Sequence, residues 1–323
     1  MAIDFLDRNL ALEAVRVTEA AALSSSFYMG RGDEKAADQA AVNAMRGFLN
    51  NLAIDGKVII GEGERDKAPM LYIGEQVGKG GPKVDIALDP LEGTTITAHG
   101  GENALAVLAM AEQGGFLHSP DIYMHKIAFG KKYEELEIDP QSPPDEIVRQ
   151  FSKFGEIKIE NIVVCILDRP RHIDLIKSVR KTGARIKLIP DGDVSAVIAT
   201  SFENSGVDIY MGVGGSPEGV LAAAALRCIG GKIYSKLVFQ NEIEKERAFD
   251  MGIKDSEKIY TTNELASGEV MFSATGVTDG TLLKGVLINE NIAHTHSVVM
   301  RSKTRTLRYV NASHNLNVKK IIR

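Results

Sequence analysis

Three apolar runs in the second half of the chain, residues 162–167, 185–189 and 207–211, each end in a polar loop that opens a helical stretch. The loops are Asp168-Arg169-Pro170-Arg171-His172, Pro190-Asp191-Gly192-Asp193 and Gly212-Val213-Gly214-Gly215-Ser216-Pro217-Glu218-Gly219. The stretches that follow read as a helix ending near Gly183, a short helix, and a helix over 220–229. A short strand, a polar turn and a helix in regular succession restrict the chain to an α/β architecture, because each strand needs a helix to cover its face. In open α/β sheets ligands gather where such strands end. At 323 residues the chain exceeds what one core usually holds, so two lobes are expected. The Pro-rich residues 139–145 are the best linker signal. They divide the chain into an N-terminal α/β lobe, 1–140, and a C-terminal α/β lobe, 146–323.

The first half begins with a helix over 9–29, capped by Asn9 and ended by Gly30, and a second helix over 36–52 with Asp38 in its first turn. A strand at 58–60 leads to Gly61-Glu62-Gly63-Glu64. The apolar run 84–88 reads as a buried strand that stops at Pro90, within Asp89-Pro90-Leu91-Glu92-Gly93-Thr94-Thr95. That string puts two carboxylates, a glycine that permits a sharp turn and two hydroxyls where the next element begins. Hard oxygen ligands and free backbone N–H groups within one turn suit a divalent cation and a phosphate together. Residues 103–111 read as a core strand or a core helix, 241–248 as a solvated helix, and 270–277 and 304–310 as strands.

A formal charge of −5 disfavours nucleic acid as the main partner, since nothing neutralises phosphates in bulk. Cys165 and Cys228 are too few for a disulfide framework. Cys165 stands in an apolar run, which makes a buried free thiol in a reducing compartment the expectation. No run reaches membrane-span length, and a cytoplasmic location is expected.

Carboxylates recur at element ends: Asp38, Glu62, Asp89, Glu92 and Glu218. Massed without a cation they would repel and raise one another's pKa. An all-oxygen set favours Mg²⁺ or Mn²⁺ over Zn²⁺. Asp38 reads equally as a residue serving its helix N-terminus, and Glu64 and Asp66 as solvated loop acids. Arg169, Arg171 and His172 sit where a helix starts, against the dipole, which points to an anion or else to a plain surface patch. The Gly212–Gly219 string fails the dinucleotide spacing because Pro217 replaces the third glycine, and no P-loop motif is present.

The strings at 61–75, at 89–94, at 120–124 (Pro-Asp-Ile-Tyr-Met), at 169–172, at 190–193 and at 214–219 resemble class II fructose-1,6-bisphosphatase, over nearly the whole chain. More loosely, the 89–94 string resembles the wider superfamily of lithium-sensitive sugar and inositol phosphatases. The resemblance implies a sugar-phosphatase fold, a layered α/β/α/β/α sandwich with mixed sheets in two lobes. It implies metal ligation, by Mn²⁺ or alternatively Mg²⁺, at Asp38, Glu62, Asp89, Glu92 and Glu218. Substrate contacts are implied at Glu92, Gly93, Thr94, Tyr123, Arg169, Pro170, Arg171, Asp191, Gly192, Asp193 and Gly215. The implied reaction is the gluconeogenic hydrolysis of fructose 1,6-bisphosphate to fructose 6-phosphate and phosphate, by in-line attack of a metal-activated water that Thr94 orients. Asp89 and Glu92 share in that chemistry. A homodimer or homotetramer is implied by the same likeness. Two positions depart from the pattern: Asp33-Glu34-Lys35 stands where relatives carry Lys directly after the Asp, and Arg169 stands where some carry Lys. Rival readings are a dual fructose-1,6-/sedoheptulose-1,7-bisphosphatase, an inositol- or nucleotide-phosphate phosphatase, an inactive metal- and sugar-phosphate-binding regulator, and a nicotinamide dehydrogenase.

Overall fold

The computed structural model describes residues 5–63 and 70–319, and the loop acids Glu64 and Asp66 lie outside them. It divides into two units, one made of the residues up to Leu117 together with those from Ser267 on, the other of His118–Ala266. The first unit opens with helices α1 (Phe5–Ser26) and α2 (Glu34–Leu49), then strands β1 (Asp55–Ile60), β2 (Gln76–Val77) and β3 (Lys83–Glu92), helix α3 (Thr94–His99) and strand β4 (Leu105–Glu112). The second unit follows as β5 (Tyr123–Gly130), α4 (Pro144–Gly155), β6 (Val163–Leu167), α5 (Ile173–Thr182), β7 (Arg185–Ile189), α6 (Asp193–Ala199), β8 (Ile209–Gly215), α7 (Ser216–Ile229), β9 (Gly231–Val238), α8 (Glu242–Asp250), β10 (Ile259–Thr261) and α9 (Thr262–Leu265). The chain then returns to the first unit with β11 (Val270–Gly276), β12 (Leu287–Asn289), β13 (Ile292–Arg301) and β14 (Thr306–Asn315).

Among the described residues the first unit's sheet has the order β12-β13-β11-β4-β3-β1-β2, with β14 on β13. Only β1 and β3 pair in parallel; the other pairs are antiparallel. Helix α1 packs on β11, β13 and β4. Its apolar face carries Val15, Val17 and Leu23, all buried. One polar residue on that face, Thr18, is satisfied by Ser273 Oγ at 3.2 Å and Thr275 Oγ1 at 2.8 Å, as a buried hydroxyl must be. Alternative readings for 103–111 resolve to a strand, β4, whose residues are all buried except Glu112.

The second unit's sheet has the order β10-β9-β5-β8-β6-β7. Here β6 runs parallel to β7 and β8, and the remaining pairs are antiparallel. Its core gathers Ile127, Phe129, Tyr133, Phe151 and Ile209. The edge-to-face stack of Phe129 on Phe151, centroids 5.0 Å apart, lies within it. Cys165 and Cys228 are buried and are not joined in a disulfide. Burial pushes the Cys165 thiol up to about 12.

Three expectations change here. Residues 139–145 mark no boundary: they lie inside the second unit, where Pro143 and Pro144 start α4. Proline at a helix start is as common as in a linker, because the first turn does not need its N–H. The strands at 270–277 and 304–310 belong to the first unit, since β11 pairs with β4 from Val270↔Ala111 to Gly276↔Leu105. The stretch from Gly212 is no loop; it finishes β8, and α7 starts at Ser216 without an intervening turn. No helix among the described residues is long and apolar enough to cross a membrane.

Candidate active site

Strand β3 does not stop at Pro90 but runs through to Glu92. Asp89 pairs with Val107 and Glu92 with Leu105, so three steps on β3 match two on β4. This is a β-bulge, where a strand accepts proline because the missing N–H interrupts no ladder bond. The Leu91 N–H donates to Asp89 Oδ1 at 3.0 Å and holds the bulge. The extra residue re-aims the side chains of a strand that would otherwise alternate strictly. Asp89 is half-buried and Glu92 only 4% exposed. Gly93 then takes φ +94, with Ile96 and Ala104 against the place a Cβ would occupy. α3 starts at Thr94, as the Gly-Thr-Thr string predicts. Thr94 is half-buried and Thr95 exposed.

Asp38 lies one turn further into α2 than the sequence suggests. The cap is Asp33, whose Oδ1 accepts from the Ala36 N–H at 3.0 Å, and Glu34 is the acid of the first turn. Asp38 therefore has no capping task, and burial raises its pKa. Lys35 is exposed. Glu62 is half-buried and its N–H donates to Leu71 O at 3.1 Å. A Cβ on Gly61 would run into that same carbonyl and into Val58, and Gly63 takes φ +124. The two glycines thus let the backbone come close and turn, and they present Glu62 between them.

In the second unit the antiparallel register of β5 on β8 sets Tyr123 opposite Gly215 and Met124 opposite Gly214. Two strings far apart in sequence, 120–124 and 214–219, become neighbours. Ser216 joins them: its Oγ donates to Pro120 O at 2.5 Å and accepts from Ser119 Oγ at 2.8 Å. Glu218 sits in the first turn of α7. Its Oε2 is enclosed and finds no hydrogen-bond partner among the described residues. Burial first, then the charge of Asp193, pushes its pKa to about 7, while Lys126 pulls the other way. A Cβ on Gly215 would meet this carboxylate, so a larger residue there would have to displace the Glu218 side chain.

The Arg171 guanidinium lies over the Tyr123 ring at 4.7 Å, and its Nε donates to Val213 O at 2.9 Å. Arg169 is half-buried and Pro170 exposed at the start of a single 3₁₀ turn. His172 leaves the anion cluster: it is buried, with Nδ1 2.7 Å from Leu167 O and Nε2 accepting from the Val213 N–H at 2.8 Å. Burial, and then Arg171 and Arg169, lower its pKa, so it pins β6 to β8 as a neutral ring. Asp191 is half-buried and its Oδ1 accepts from the Gly192 N–H at 3.0 Å. Gly192, at φ +88, precedes α6.

Asp193 is placed otherwise than as a sugar acceptor. It is 6% exposed, and its Oδ2 meets Lys126 Nζ at 2.5 Å and the Tyr210 hydroxyl at 3.2 Å. Lys126 also donates to Gly215 O at 2.7 Å. Lys126 has one signal in the sequence: it directly precedes the apolar run Ile127-Ala128-Phe129, and a lysine drawn into such a run needs a buried partner.

Within each unit the acids are hard oxygen donors that suit a divalent cation, and in the second unit Glu218 holds an enclosed oxygen that a cation would satisfy. Among the described residues no three His, Cys, Asp or Glu side chains converge as a ready-made cage.

The acids on a strand bulge and the Gly-Thr-Thr helix start belong to the first unit and the Arg-on-Tyr wall to the second, and comparison with known proteins makes the chain a phosphoric monoester hydrolase. The family model of bacterial fructose-1,6-bisphosphatase, glpX-encoded, matches residues 8–314, and the chain belongs to that family. It is 41% identical to the D-fructose 1,6-bisphosphatase class 2/sedoheptulose 1,7-bisphosphatase of Synechococcus sp. (strain JA-2-3B'a(2-13)), over 96% of each chain. It is equally 41% identical to the protein of the same name from Trichodesmium erythraeum (strain IMS101), over 96% of this chain and 97% of that one. Among solved structures it is similar to an IMPase of Thermotoga maritima, at 13% identity and a TM-score of 0.37, over 80% of this chain and 91% of that one.

Proposed function

We propose that this chain hydrolyses fructose 1,6-bisphosphate at its 1-phosphate, releasing fructose 6-phosphate and phosphate, with Mn²⁺ or Mg²⁺ as cofactor. The observation that carries the reading is the bulge at Asp89–Glu92 feeding directly into Gly93-Thr94-Thr95 at the start of α3. The oxygen donors assigned to the cation in the first unit are Asp38, Glu62, Asp89 and Glu92, and Glu218 is the second unit's candidate donor. A bound divalent cation supplies charge neutralisation and a more acidic water. The protein's own residues do the rest. The first turn of α3 leaves backbone N–H groups outside the helical ladder to receive phosphate oxygens. The Thr94 hydroxyl accepts from the attacking water and orients it. Arg171, held by Val213 O and stacked on Tyr123, presents its remaining donors to the sugar phosphate. Arg169 offers the forked geometry that a lysine lacks. Two buried cysteines not joined in a disulfide suit a reducing, cytoplasmic setting, and a homo-oligomer is the assembly we assign.

Sedoheptulose 1,7-bisphosphate is a second substrate to test, because the relatives' names carry both activities. Phosphate release is measured over both bisphosphates, an inositol phosphate and a nucleotide, first with EDTA and then with Mn²⁺ or Mg²⁺ restored. Release from fructose 1,6-bisphosphate only after metal is restored is expected. No release from either bisphosphate with metal present would leave a binding protein.

Thr94→Ala is expected to lower kcat by about 10²-fold or more with the metal requirement unchanged, and Thr94→Ser to keep much of the rate. An unchanged kcat in the Ala variant would place water orientation elsewhere. Gly215→Ala is expected to displace the Glu218 carboxylate, lowering stability by about 1–3 kcal/mol and raising the Mn²⁺ concentration for half-maximal release. A melt together with a Mn²⁺ titration checks both.

A further inference from the structure

Residues 139–145, which read as a linker, roof a cavity of about 280 Å³ in the second unit. Its floor is the sheet face bearing His125 and Ile127 of β5, Met211 of β8, and Tyr234 and Lys236 of β9. Register explains that floor. His125 stands directly opposite Lys236, and Ile127 lies between Met211 on one side and Tyr234 on the other. Pro140, Gln141 and Ser142 form the roof, and Ile147 of α4 and Leu175 of α5 also line the cavity. Tyr123 lies two residues before His125, so it shares this face, yet neither it nor Arg171 lines the cavity. The pocket is thus a neighbour of the Arg171–Tyr123 wall and separate from it.

Two basic side chains directly opposite each other on a sheet repel. The His125 pKa is lowered, by burial first and then by His172 and Lys236. Lys236 is held at 2.6 Å by Glu257, a residue more than three-quarters exposed, so its internal partner sits in water and is readily exchanged. The walls are otherwise amphipathic: Gln141 and Ser142 can donate, while Ile127, Ile147, Leu175 and Met211 offer carbon. Few polar groups on a mostly apolar wall are the pattern of a small-molecule site. We propose that this cavity binds a small organic anion, its phosphate or carboxylate head against Lys236 and His125 and its apolar body against the aliphatic side chains. Nothing in the hydrolysis requires it, so it is a second ligand site on the enzyme.

Calorimetry on the full chain in EDTA tests this, with phenylphosphonate as the probe because its C–P bond resists hydrolysis. Benzoate tests a carboxylate head, methylphosphonate the head alone and benzyl alcohol the body alone. Phenylphosphonate or benzoate is expected to bind at one site, more tightly than either fragment, and the better of the two identifies the head group. Lys236→Gln and His125→Gln are each expected to weaken binding about tenfold, Ser142→Trp to abolish it by filling the roof, and Arg171→Ala to leave it unchanged. Melts matching the parent chain secure the comparison. The proposal is overturned if neither probe binds the parent chain, if both glutamine variants bind as it does, or if Arg171→Ala loses the binding.

Discussion

Asp89→Ala and Glu92→Ala are each expected to lower metal-dependent phosphate release by about a thousandfold, with a melt close to that of the parent chain. The geometry separates the two effects. The bulge is held by the Leu91 N–H on Asp89 Oδ1, one hydrogen bond worth about 1 kcal/mol. Its register is set by the flanking pairs from Val84↔Glu112 to Leu88↔Leu108, which neither variant touches. The carboxylates, by contrast, are the only charges that this strand end brings to the α3 start. Removing one takes away an oxygen donor and leaves the local charge unbalanced for a cation. Asp89→Asn keeps the Leu91 contact, so its melt should match even more closely while activity stays lost. Wild-type-like release in either Ala variant would remove the bulge from the chemistry.

Lys126→Met is expected to destabilise the second unit by about 3–5 kcal/mol. Lys126 is fully buried, and its ammonium balances Asp193 at 2.5 Å while donating to Gly215 O. Without it the Asp193 carboxylate stays buried with the Tyr210 hydroxyl as its remaining side-chain partner among the described residues. The double variant Lys126→Met/Asp193→Leu should recover much of the loss, because a buried pair replaced by apolar groups is often neutral. Lys126 also holds down the pKa of Glu218. The single variant should therefore keep Glu218 protonated to higher pH and demand more metal for activity. Denaturant melts and a Mn²⁺ titration at fixed pH read the two effects apart. A melt unchanged in Lys126→Met would show that the pair contributes nothing.

The local backbone geometry around Glu62 and Thr94 was legible because its signals are local. Gly61 and Gly63 flank an acid that their small size presents, Gly93 turns the chain at φ +94, and Thr94 begins a helix where the hydroxyls stand. What misled were features with two physical meanings. Pro90 reads as a strand end, but a bulge accepts it. Pro143 and Pro144 read as a linker, but they start α4. Asp38 reads as a helix-terminal acid, but Asp33 takes that task.

The sequence by itself determined the α/β class, the acids at element ends and the likeness to a bisphosphatase, since each depends on residues within one turn or one short string. Only the tertiary structure decided the units, because β11 closes the first sheet on β4 across an entire intervening unit. It alone decided that Asp193 faces Lys126, that Arg171 lies over Tyr123 and that His125 opposes Lys236. His125 and Lys236 are a cross-strand pair, while Lys126 and Tyr123 of β5 meet a residue of α6 and one of the turn after β6; each contact joins segments distant in the chain, which no local pattern records.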